Sequence, residues 1–71
     1  MGLQAEKLAE RLCQCVILLC QGHTLTTAVL CARFGISERT AQRDLSRLAR
    51  ITEQTRPGHY RLSPILRQTF R

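Results

Sequence analysis

The chain has 71 residues, 44% of them apolar, with 11 Lys and Arg against 5 Asp and Glu for a net charge of +6. That length allows one domain at most, with a small core, and the apolar content excludes a disordered chain. A basic balance with pI near 10.1 fits a polyanionic partner, the alternative being a generally basic, soluble surface. Aromatics are scarce (Phe34, Tyr60, Phe70, and no Trp), so the core must be built from Leu, Ile, Val, Ala and Cys, which suits packed helices.

The first apolar-periodic segment runs from about Leu3 to Gln21. Leu8, Leu12, Cys15, Val16 and Leu19 recur at helical spacing and form one face. Ala9, Cys13, Ile17 and Cys20 form a second apolar strip beside it, and from Cys15 to Cys20 the helix is apolar nearly all round. A helix like that must be covered on more than one side. The second strip is therefore a candidate homodimer surface, unless the later helices and hairpin cover it. Gly22 fits a C-terminal stop. After the connection His23-Thr24-Leu25, Thr26 is placed to cap a second helix over Thr27–Phe34. Gly35 suits the left-handed turn that follows, and Ile36 is expected to plug the gap between helices.

Ser37 is placed to cap a third helix running to about Arg50, with Glu38 in its first turn. Ala41, Leu45 and Leu48 should face the core. The opposite side holds Arg39, Thr40, Arg43, Ser46, Arg47 and Arg50. Asp44 lies at the edge of the apolar face, where it can pair with Arg47 or with a cation of the preceding helix. Ile51–Thr55 and Tyr60–Leu62 read as two strands around Arg56-Pro57-Gly58-His59, a turn of type II character. Pro64 suits the first turn of a short last helix or tail over residues 63–71.

The predicted fold is mainly α with a small β-hairpin: a three-helix core plus a wing, the order of a winged helix-turn-helix, with residues 1–62 as the domain. Residues 1–12 read as a polar helical segment rather than a signal peptide, and the apolar stretch 15–20 is far short of a membrane span. The expected location is cytoplasmic, on the nucleoid. The cysteines at 13, 15, 20 and 31 all fall in the first half of the chain and form no Cys-x-x-Cys pair. Free thiols and no metal site are expected, with His23 an unmatched neighbour of Cys20. No cofactor, no small-molecule ligand and no catalytic constellation is expected in this segment.

Ten arginines and the single Lys7 make up the positive charge, and arginines cluster between Arg33 and Arg61. Arginine forks onto phosphates and guanine edges. A helix with an arginine-lined open face after a Gly turn is the arrangement that enters a DNA major groove. Arg56, His59 and Arg61 flank the wing tip and can reach neighbouring backbone. An alternative is a protein-interaction or dimerisation module that uses the apolar first helix.

The segment Leu25 to Leu48 resembles the winged helix-turn-helix of DeoR-type repressors and the N-terminal domains of regulators carrying a WYL ligand-binding domain. The shared features are Gly35-Ile36-Ser37, Ser37-Glu38-Arg39-Thr40, Arg43-Asp44-Leu45 and the hairpin pattern Gly58-x-Tyr60-x-Leu62. The resemblance spans roughly residues 5–62. It departs at Ala41, where Ile or Val is usual, and at Gln42, where Arg is common; Gln can pair bidentately with adenine. The resemblance implies double-stranded DNA as partner. It further implies Ser37 and Thr40 on phosphate at the helix start, Arg39, Gln42 and Arg43 on base edges, and Arg47 and Arg50 on phosphate. It leaves open whether the segment stands alone or is part of a longer regulator.

Overall fold

The computed structural model describes residues 3–69, with side chains described for residues 6–66. Helix α1 (Leu3–Cys20) is followed by α2 (Thr27–Phe34), α3 (Glu38–Arg47), strands β1 (Thr52–Arg56) and β2 (His59–Leu62), and α4 (Pro64–Thr69). The architecture is the mainly helical winged helix-turn-helix expected. Of the proposed C-terminal helix or tail, residues 70 and 71 lie outside the described residues, as do residues 1 and 2 of the proposed domain.

Each short helix is bounded by side-chain or glycine chemistry. At the end of α1 the Gly22 N–H donates to the Leu19 carbonyl and the His23 N–H to the Leu18 carbonyl, both at 3.0 Å. With Gly22 at φ 93° this is a Schellman stop. The Thr26 hydroxyl accepts from the Val29 N–H at 3.1 Å and caps α2. Gly35, at φ 64°, closes α2 with its N–H on the Cys31 carbonyl. Two residues later the Ser37 hydroxyl accepts from the Thr40 N–H at 3.2 Å and opens α3.

Helix α3 ends three residues before the expected Arg50. At Leu48 the backbone turns to φ −87° and ψ 2°. The Ala49 N–H then reaches only three residues back, to Ser46, and the Ile51 N–H to Leu48. The tightening turns the chain toward β1 while Ile51 packs against the core. The Thr52 hydroxyl donates to the Leu48 carbonyl at 3.0 Å, satisfying an acceptor that the helix end exposes. Consequently β1 begins at Thr52 rather than Ile51.

The hairpin pairs Thr52 with Leu62, Glu53 with Arg61, Gln54 with Tyr60 and Arg56 with His59, so Thr55 is an extra residue that bulges β1. Gly58, at φ 80°, occupies the left-handed position of the Pro57-Gly58 turn. Sequence reasoning took Leu25 for a simple connector. In fact it pairs with Tyr60, its N–H donating to the Tyr60 carbonyl at 2.6 Å and its carbonyl accepting from the Tyr60 N–H at 2.9 Å. The buried Leu25 thus ties the wing to the helical body.

The core comprises Cys15, Leu18, Leu19, Leu25, Leu30, Ala41, Leu45, Leu48 and Leu62, with Leu12, Val16, Cys31, Phe34, Ile36, Ile51, Tyr60 and Leu66 packed at its margin. Ala41, Leu45 and Leu48 face inward as expected. The strip Ala9, Cys13, Ile17 and Cys20 is exposed, Ile17 at 54%, so the described parts of the chain do not cover it. Advancing about 100° per residue, the strip lies across the helix from Cys15 and Leu19, not beside them.

One charged group is in the core. Asp44 is fully buried, and its carboxylate accepts from two arginines. Arg11 of α1 donates through Nε to one carboxylate oxygen and through a terminal nitrogen to the other, the latter at 3.1 Å, while Arg47 donates to that second oxygen at 2.9 Å. Asp44 therefore pairs with Arg47, as expected, but its second partner comes from α1 and not from the adjacent α2. The bond to Asp44 raises the Arg11 pKa still further, and burial raises that of the Cys15 thiol.

Arg11→Met leaves the buried Asp44 with Arg47 as its partner and with one carboxylate oxygen unbonded, so it should destabilise the fold by about 1–3 kcal/mol in urea titrations. Arg11→Met combined with Asp44→Leu should recover much of that loss. A single-variant cost near zero would remove the structural role given to this pair. The thiols give a second expectation. Cys13 and Cys20 should react rapidly with iodoacetamide, and Cys15 only upon unfolding. Because the folded Cys15 holds its proton above the ordinary thiol pKa and the unfolded chain does not, stability should fall as pH rises past that ordinary value. Cys15→Ala should flatten this alkaline decline, as read by thermal melts.

Candidate nucleic-acid interface

The orientation of α3 about its own axis decides what it presents. Ala41, Asp44, Leu45 and the capping Leu48 are buried, so they define the inner side. At about 100° per residue the centre of the opposite side falls among Arg39, Arg43 and Ser46, flanked by Gln42 and Arg47. Arg39, Gln42, Arg43, Ser46 and Arg47 are all exposed. The open face is therefore polar and cationic from its first turn to its last.

Thr40 and Arg50 stand differently from the sequence expectation. Thr40 is half-buried at the flank of α3 that faces α1, not at the centre of the open side. Its hydroxyl accepts from the Ser37 hydroxyl at 3.0 Å. Ser37 therefore has a settled local task, capping α3, while remaining exposed at the helix start. Arg50 is exposed but lies beyond the end of α3, in the turn leading to β1. It is not on the helical face.

The arginines divide by their partners. Arg47, with 43% of its side chain exposed, is tied to Asp44. Arg61 is tied across the hairpin to Glu53, with both Nε and a terminal nitrogen 3.0 Å from the same carboxylate oxygen. Among the described residues, Arg33, Arg39, Arg43, Arg50 and Arg56 form no ion pair, Arg33 lying away from this face on α2. Arg56 and the half-buried His59 flank the wing turn as anticipated. A groove of about 440 Å³ separates α3 from the wing, lined by Thr27, Gln42, Leu45, Ser46, Ala49, Gly58 and Tyr60. Gln42 thus lies on the wing side of the open face, and Arg43 on the α1 side.

Sequence reasoning missed Lys7 and Arg11. Both border a second groove, between α1 and α3, together with Leu8, Thr40, Arg43 and Arg47. A signal was present for Arg11: it stands four residues before Cys15 and seven before Leu18, on the buried face of α1. A charged residue there requires a partner, and Asp44 was the acid at an apolar edge.

Among the described residues, no cluster of three or more His, Cys, Asp or Glu could hold a metal ion, and no helix is long and apolar enough to cross a membrane. No curated protein and no solved structure matches the chain significantly. The match to the DeoR-like helix-turn-helix domain covers residues 4–56, from α1 to the end of β1, and does not support the resemblance to regulators carrying a WYL domain. With three helices, a capped glycine turn, a cationic third-helix face and that match, the chain belongs to the DeoR-like helix-turn-helix domains, a DNA-binding class associated with transcription regulation.

Proposed function

We propose that the chain reads double-stranded DNA in a sequence-specific way, with α3 in the major groove and the hairpin against the flanking backbone. The observation that carries this reading is the open face of α3, where uncommitted Arg39 and Arg43 sit beside Gln42. Arg39 and Arg43 suit the O6 and N7 acceptors of guanine, and Gln42 suits the N6 and N7 edge of adenine. Ser37, Thr40, Arg47 and Arg50 take phosphate, helped at the start of α3 by the positive end of the helix dipole. Arg56 and His59 reach the backbone beside the groove. Arg61 joins them by exchanging Glu53 for a phosphate, which costs little because an exposed pair is worth about 0–1 kcal/mol.

One copy neutralises only about four phosphates with arginine and so binds weakly alone. Two copies on a two-fold operator meet through Ala9, Cys13, Ile17 and Cys20, the apolar strip that faces away from the core. A transcription repressor of bacterial or phage type, acting in the cytoplasm on the nucleoid, is the regulatory role in keeping with the DeoR-type resemblance. The competing reading, an interaction module whose charge is incidental, draws on the same exposed strip. It predicts no salt-dependent association with random duplex, and a titration at two salt concentrations separates the two.

Arg43→Ala should cost about 1–3 kcal/mol on a duplex recovered by in vitro selection and relax preference at one base position. Arg50→Ala should weaken selected and random duplexes alike. Equal losses on both duplexes for Arg43→Ala would end its assignment to a base edge. For self-association, Ile17→Glu should shift the chain to monomer in sedimentation equilibrium. It should also weaken binding to a two-fold site much more than to a half-site; an unchanged mass would place any dimer contact elsewhere.

A further inference from the structure

The groove between α1 and α3 has a volume of about 330 Å³ and is lined by Lys7, Leu8, Arg11, Thr40, Arg43 and Arg47. Four cations meet there against one acid, Asp44, which is buried beneath them. Asp44 engages Arg11 through both carboxylate oxygens and Arg47 through one of them, so these two guanidinium groups are fixed in direction. Lys7 and Arg43 have no ion-pair partner among the described residues and are exposed. The groove therefore keeps a surplus of positive charge, each helix contributing one preset guanidinium and one free cation.

Thr40 adds a hydroxyl able to donate. Its backbone N–H is taken by the Ser37 hydroxyl, and its own oxygen accepts the Ser37 proton. Its hydroxyl proton has no acceptor among the described residues, at a residue that lines the groove. A hydroxyl donor beside convergent ammonium and guanidinium groups fits a tetrahedral oxyanion.

We propose that this groove is a phosphate seat, and that its occupant is a backbone phosphate of the duplex next to the stretch read by α3. The proposal rests on the DNA-binding reading above and adds α1, through Lys7, to the contact surface. Lys7 supplies charge without base selectivity, Thr40 supplies a hydrogen bond, and Arg11 is a positioning residue that holds Asp44 and through it the direction of Arg47.

The test uses the whole chain, as wild type, Lys7→Gln and Lys7→Glu, with circular dichroism confirming the fold. Fluorescence anisotropy follows binding to a random and to a selected duplex over a series of salt concentrations. Lys7→Gln should weaken both duplexes by the same factor, about threefold to tenfold, with the slope of log K against log salt shallower by about one. Lys7→Glu should weaken them further. Unchanged affinity and slope in both Lys7 variants, with Arg43→Ala still impaired, would overturn the seat while leaving the DNA-binding reading intact. If the wild type shows no salt-dependent binding to any duplex, that reading falls, and inorganic phosphate decides the groove. Saturable amide shifts at Lys7, Thr40 and Arg43 on phosphate titration would keep it as a site for a free anion; their absence would sink it.

Discussion

A buried carboxylate fixes the arrangement on which everything else depends. Asp44 has no exposed surface, yet no buried side-chain nitrogen or oxygen among the described residues lacks a hydrogen-bond partner. Arg11 comes to it from α1 and Arg47 from the next turn of α3. The apolar contacts around it involve Leu, Ala and Cys, side chains that pack in many registers. An ion pair with both carboxylate oxygens engaged tolerates far fewer. It sets which turn of α1 meets which turn of α3, and it sets the rotation of α3 about its axis. Because Asp44 points in, Arg39 and Arg43 point out.

Length alone does not sustain these helices. Helices α2 and α3 have 8 and 10 residues, below the about 12–15 at which isolated helices become marginal in water. Their stability comes from caps and from burial. Thr26 and Ser37 each satisfy a free N–H at a helix start, and Gly35 closes one helix just before Ser37 opens the next. The α2–α3 angle is thus decided within four residues, Phe34 to Ser37, two of which also pack against the core. The wing is set by a different device. Leu25, just before the α2 cap, exchanges two backbone hydrogen bonds with Tyr60, so the hairpin is anchored to the same short stretch that orients α2.

Much of this was legible in the chain because it is encoded locally. The caps Thr26 and Ser37, the stops Gly22 and Gly35, and the Pro57-Gly58 turn act within a few residues of themselves, and each lies where sequence reasoning put it. Ala41, Leu45 and Leu48 were found by periodicity, which reports the average direction of a helix face. What was not legible depends on contacts between distant segments. The Arg11–Asp44 bond spans 33 positions, and the Leu25–Tyr60 bridge joins a loop to a strand. Arg50 was placed on α3 because its spacing continues the arginine pattern, but the need to bury Ile51 and turn into β1 ends the helix first. Of the candidate site, the residue types and the helix were readable. The division into committed and free arginines was not, since it depends on where each acid finally sits.

That division links stability to recognition. Two of the acids are engaged in the folded chain: Asp44 takes Arg11 and Arg47, and Glu53 takes Arg61. Arg39 and Arg43 are left uncommitted on the open face of α3, while Arg50 and Arg56 stand free at the end of α3 and at the wing. A guanidinium already held by a carboxylate must give up that partner before it takes a phosphate, whereas a solvated one loses only water and counterions. On the DNA-binding reading proposed above, binding energy is therefore greatest at the uncommitted set, and its direction is fixed by the committed set. Basic composition alone does not produce this pattern. It follows from burying one acid where it fixes two arginines in direction while Arg39 and Arg43 keep no acidic partner.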